Sequence, residues 1–130
     1  MSLVEVDGLR VVIDATGADI VEDVSFAVEP GEVLGIVGES GSGKTTIGTA
    51  LLGYARPGSR IAAGSVRIGG VEMLALEPDA LRKARGNLVS YIPQDPSAAL
   101  NPALRIVEQV EEVLEAHNVG ASNDERRARM

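Results

Sequence analysis

Residues Gly38-Glu39-Ser40-Gly41-Ser42-Gly43-Lys44-Thr45 follow the spacing G-x-x-x-x-G-K-[ST], which suits a loop that holds phosphate groups. Such a loop must turn successive backbone N–H groups inward, and Gly38, Gly41 and Gly43 permit the dihedrals this requires. A helix starting at residue 45 would aim free N–H groups and a partial positive charge at the same anion. Lys44 is expected to reach the β- and γ-phosphates, Thr45 to offer its hydroxyl to magnesium, and Thr46 to contact a further phosphate oxygen. With Glu39, Ser40 and Ser42, these residues form a candidate site, 38–46, for a nucleoside triphosphate and Mg2+.

Two elements must position that loop. Val33-Leu34-Gly35-Ile36-Val37 reads as a short apolar strand buried on both faces, ending at Gly38. On the other side, Ile47, Ala50, Leu51 and Tyr54 recur at helical spacing, so a helix is expected over 45–54, stopped by Arg56-Pro57-Gly58. The order strand, glycine loop, helix is the context in which the spacing carries meaning. A dinucleotide-binding loop is disfavoured because Thr46 stands where G-x-G-x-x-G, counted from Gly41, needs its third glycine. A small GTPase is disfavoured as well: the chain has no Asn-Lys-x-Asp, and its Asp-x-x-Gly, from Asp14 to Gly17, precedes the loop.

Elsewhere, Val4 to Ile13 and Ile20 to Val28 are rich in β-branched residues and read as a hairpin turning around Gly17. Gly64 to Met73 reads as a second hairpin turning at Gly69-Gly70, followed by a helix from Pro78-Asp79 to Gly86. Arg82, Lys83 and Arg85 are expected to cap the negative end of that helix. Leu88 to Ile92 reads as another apolar strand, opening into Pro93-Gln94-Asp95-Pro96, where two prolines break regular structure. Over 102–117, Ile106, Val110, Val113 and Leu114 mark an amphipathic helix. Its Glu108, Glu111, Glu112 and Glu115 read as a solvated face rather than a metal site, and His117 as a surface residue at its end. Asp124 to Met130 looks like the start of a further helix.

Hydrophobic residues make up 45% of the 130-residue chain and charged ones 24%, the profile of a folded protein rather than a disordered one. The aromatics are Phe26, Tyr54 and Tyr91 alone, so the core must be aliphatic, which favours an α/β fold. The net charge of −7 argues against nucleic acid as a partner, so phosphate binding must be local. The absence of cysteine removes disulfides, thiolate metal sites and cysteine nucleophiles. No apolar run approaches the roughly 20 residues of a membrane span, and the acidic start lacks the pattern of a signal peptide.

Taken together, Val33 to Thr46 and Val89-Ser90-Tyr91-Ile92-Pro93-Gln94-Asp95-Pro96 resemble the ATP-binding subunit of an ABC transporter. The following Ala99-Leu100-Asn101-Pro102-Ala103-Leu104-Arg105-Ile106 is similar to the segment after the Q-loop in importers of oligopeptides, dipeptides and nickel. The resemblance implies a P-loop NTPase core with an antiparallel β subdomain, forming the N-terminal portion of an ABC-type ATPase domain. On that reading, residues 1–92 are the β subdomain and P-loop core, 93–102 the Q-loop, and 103–130 the start of a helical subdomain. It also implies ATP and Mg2+ as ligands, catalytic roles for Lys44 and Gln94, and contact of Gln94 with the magnesium or its water. The implied partners are membrane-spanning subunits and a second ATP-binding domain, and the implied location is the cytoplasmic face of the cell membrane.

The sequence departs from the family's pattern in several places. Val12 and Ile13 occupy the region where an aromatic residue stacks on adenine, and no Leu-Ser-Gly-Gly-Gln signature, Asp-Glu strand end or switch histidine is present. These 130 residues are therefore expected not to hydrolyse ATP alone. A P-loop kinase for a small metabolite and a truncated, non-hydrolysing binding module are the alternatives.

Overall fold

The computed structural model describes all 130 residues as two compact units, Met1–Tyr91 and Ile92–Met130. The first is built on a four-stranded antiparallel sheet of β1 (Val4–Ile13), β2 (Asp19–Val28), β3 (Ser59–Ile68) and β4 (Val71–Glu72) in the order β2-β1-β3-β4. Both expected hairpins form. β1 and β2 pair from Val4 with Val28 to Val12 with Asp19, and β3 turns into β4 through Gly69 and Gly70. The sheet covers a core of Val6, Leu9, Val11, Val21, Val66, Ile68 and Met73, to which α1 (Lys44–Ala50) adds Ile47 and Ala50. Full burial of residues such as Leu9, Val11, Val66 and Met73 contributes about 1.5–3 kcal/mol each.

Strict alternation fails in β1, where Val6, Leu9, Val11 and Val12 are all buried. The pairing register shifts between Val6 and Leu9 and again around Val11, so inserted residues reset which side chains face the core. The bulge needs two glycines in contact. Gly8 has φ +57°, and Gly64 of β3 approaches it with φ +100°.

Three elements depart from expectation. Residues 33–37 form no strand, and Val33 and Val37 are each 93% exposed; no segment of the chain hydrogen-bonds alongside them as a ladder partner, which a strand requires. Residues 88–92 likewise form no strand, with a single parallel bridge between Val89 and Arg85. The helix after the glycine loop ends at Ala50, ahead of the expected stop: Gly53 turns at φ +63°, and its N–H donates to Ala50 O (2.9 Å) while Tyr54 N–H donates to Thr49 O (3.2 Å).

Helix α2 (Pro78–Ala84) starts on a proline, as expected, with Arg82 and Lys83 in its last turn. Arg85 does something else. Its Nε donates to Leu52 O (2.9 Å) and its terminal nitrogen to Gly53 O (3.3 Å), so it satisfies carbonyls just past the end of α1. Arg85→Ala is expected to lower stability by about 1.5–3 kcal/mol, the range for hydrogen bonds from a charged donor. Arg82→Ala, losing only an exposed approach to Asp79 at 3.9 Å, should change it by less than about 0.5 kcal/mol. Equal shifts in denaturant midpoint would contradict this.

In the second unit, a 3-10 turn (Pro96–Ala99) precedes α3 (Ile106–Ala116) and α4 (Asn123–Ala128). Helix α3 is amphipathic as expected, but Ile106 and Val113 on its apolar side are exposed. Of its glutamates, Glu108 accepts from Arg105 N–H in a capping box, and Glu111 pairs with Arg127 of α4 at 2.5 Å. His117 is the exposed C-cap of α3. No helix is long and apolar enough to cross a membrane.

Candidate functional site

The glycine loop leads directly into α1, whose N-cap is Gly43 at φ +89° and ψ 3°. A Cβ at Gly43 would lie 2.8 Å from Ile20 O and 3.2 Å from Val21 Cγ2, so the loop seats against the start of β2 only with glycine there. A Cβ at Gly38 would meet Ser42 Oγ at 2.6 Å, which means that the two arms of the loop close on each other. Sequence therefore folds locally into a tight ring, with glycine required where the backbone comes closest.

Lys44 closes that ring. Its Nζ donates to Gly38 O (2.6 Å), Glu39 O (2.5 Å) and Ser42 Oγ (3.3 Å), which holds the ammonium at the mouth of the loop. The N–H groups of Gly41, Gly43, Lys44, Thr45 and Thr46 find no acceptor within the protein, and no side chain caps α1. Five unpaired donors beside one ammonium suit a multiply charged oxyanion. The hydroxyl of Thr45 lies on an exposed residue of the first turn, and a hard oxygen donor is what magnesium accepts. The residues thus fit a phosphate group with its metal ion.

The structure brings Gly38 to Thr46 together within the first unit. Gln94 lies in the second, exposed at a bend. Beyond it, Asp95 caps the 3-10 turn: its Oδ1 accepts from Ser97 Oγ (2.6 Å) and Ser97 N–H (3.1 Å). The Ser97 hydroxyl, and after it the Ser97 N–H, hold the Asp95 carboxyl below its ordinary range. A depressed carboxyl stabilises the turn above its unfolded-state pKa, and that contribution is lost as pH falls through the folded value. The Ser97 amide resonance is therefore expected to titrate with a midpoint below that of an unperturbed aspartate. A midpoint at or above the ordinary value would contradict the cap.

Of the two residues in the region expected to face a base, Val12 is 2% exposed and belongs to the core, whereas Ile13 is 38% exposed. Only Ile13 can offer aliphatic surface there. Sequence reasoning missed Arg85 as the anchor of α1, because nothing in a basic run ending α2 signals that its last member turns to a different helix.

A family model described as ABC transporter matches residues 21–130, so the chain belongs to the ABC transporter family, whose fold is that of the P-loop NTPases. It is 43% identical over 118 residues to the oligopeptide transport ATP-binding protein OppD of Escherichia coli (strain K12), covering 89% of this chain and 35% of that protein. It is 38% identical over 130 residues to the protein of the same name from Mycobacterium tuberculosis (strain ATCC 25618 / H37Rv), covering 97% of this chain and 21% of that one. Against the dipeptide transport ATP-binding protein DppD of Lactococcus lactis subsp. cremoris (strain MG1363) it is 38% identical over 122 residues, covering 92% and 35%. The chain thus spans about a fifth to a third of the length of these curated relatives.

Proposed function

We propose that the chain binds ATP with magnesium at residues 38–46, within an ATP-binding subunit that energises peptide uptake across a membrane. The observation that carries the reading is the glycine ring around Lys44, with the N–H groups of Gly41, Gly43, Lys44, Thr45 and Thr46 free of protein acceptors. The names of the peptide transport relatives supply the substrate class. Lys44 would bind the β- and γ-phosphates, Thr45 would ligate the metal and Thr46 would contact a phosphate oxygen. Gln94 would meet the metal or its water. The four-stranded antiparallel sheet corresponds, on this reading, to the β subdomain of an ABC-type ATPase domain. Membrane-spanning subunits and a second ATP-binding domain would complete the assembly at the cytoplasmic face of the membrane.

The test is ATP hydrolysis by the complete ATPase reconstituted with its membrane subunits in vesicles. Peptide should raise the rate, and Lys44→Ala should abolish it. Hydrolysis indifferent to peptides of any length would overturn the substrate class.

A further inference from the structure

Residues 94–108 are all exposed, so burial does not hold this stretch in shape. Hydrogen bonds from side chains to backbone do, and one residue supplies several of them. Gln109, half-buried on α3, accepts the Asn101 N–H at Oε1 (2.8 Å). Its Nε2 donates to Asn101 O (3.1 Å), Leu104 O (3.2 Å) and Arg105 O (3.5 Å). One amide side chain thus engages both backbone groups of Asn101, as a neighbouring strand would, and ties the entry of α3 to the loop before it. Asn101 is set from its own side too, since its Oδ1 accepts from Ala103 N–H at 3.0 Å.

We propose that Gln109 is a positioning residue, which fixes the shape of the loop following Gln94 so that the loop can dock on the membrane subunit. This rests on the proposed function, and it takes the loop beside Gln94, residues 93–102, as the part of the chain that receives the membrane subunit. An exposed loop that must press on a partner transmits motion only if it is stiff, and here stiffness comes from the Gln109 amide. A carboxylate could not replace it, because the carbonyls of Leu104 and Arg105 would then face a negative acceptor rather than a donor.

The experiment uses Gln109→Met, which keeps length and helix propensity without the hydrogen bonds, and Gln109→Glu. Three quantities are read in the reconstituted complete ATPase: exchange at the Asn101 amide, peptide-stimulated ATP hydrolysis and MgATP affinity. Gln109→Met is expected to speed Asn101 exchange by about tenfold and to remove most of the peptide stimulation, with MgATP affinity unchanged. Gln109→Glu should not restore stimulation. Unchanged exchange in Gln109→Met would overturn the clasp, and faster exchange with full stimulation would overturn its role in docking. A wild-type protein that binds MgATP but shows no peptide stimulation would overturn the parent reading and the docking role, while the exchange result would still decide the clasp.

Discussion

Lys44→Ala is expected to weaken MgATP binding by about 10–100-fold. A hydrogen bond from a charged donor contributes about 1.5–3 kcal/mol, and each 1.4 kcal/mol is roughly tenfold in affinity. The side chain acts in two ways. Its ammonium would face the phosphates, and it also fastens the loop to itself through Gly38 O, Glu39 O and Ser42 Oγ. Removing it takes away the charge and leaves the ring free to open, so part of the loss is entropic. Lys44 lies outside the buried core, so the variant should unfold at nearly the wild-type denaturant midpoint. Calorimetric titration showing wild-type affinity in the folded variant would contradict the assignment of Lys44.

Gly64→Ala is expected to destabilise the first unit by about 3 kcal/mol or more, a large share of the 5–15 kcal/mol that holds a typical domain folded. Residue 64 has φ +100°, which costs a residue with a side chain about 1–3 kcal/mol. The new Cβ would also lie 2.6 Å from both Gly8 O and Leu9 Cα. These are backbone atoms of the central strand, so no rotamer change relieves the clash. Relief requires shifting the bulge that places Leu9 and Val11 in the core. Gly17→Ala is the control. Its φ is also positive, at +70°, but nothing lies within 4 Å of its Cβ position, so it should cost only about 1–2 kcal/mol. Equal losses in the two variants, measured by denaturant unfolding, would show that the Gly8–Gly64 contact does not set the cost.

Much of the first unit is legible because its signals are local. Segments rich in β-branched residues on either side of Gly17, and the Gly69-Gly70 turn, specify hairpins whose strands are consecutive in the chain. The bulge was not read, although glycines inside strand patterns, here Gly8 and Gly64, are where bulges occur. Residues 33–37 show the limit of apolar runs as a guide. A continuous apolar segment reports a preference for burial between layers, whereas a strand exists only where another segment hydrogen-bonds beside it. Val33 and Val37 have no such neighbour in this chain.

The glycine loop was legible because all its chemistry lies within nine contiguous residues. Gln94 is named from the resemblance alone, because an exposed glutamine between two prolines carries no chemical pattern of its own. Arg85 reads as a cap for α2 but engages the carbonyls of Leu52 and Gly53 after α1, and nothing in the sequence marks Gln109. Each acts by reaching backbone carbonyls, and carbonyls are present at every position, so no residue pattern marks the target.

The most direct measurement of the central claim is the amide spectrum of the chain titrated with MgATP. Saturable shifts are predicted at Gly41, Gly43, Lys44, Thr45 and Thr46, whose N–H groups lack a protein acceptor, with smaller changes elsewhere and loss of the response in Lys44→Ala. Unmoved amides from Gly38 to Thr46 at saturating MgATP, or saturable shifts confined to another part of the chain, would contradict it.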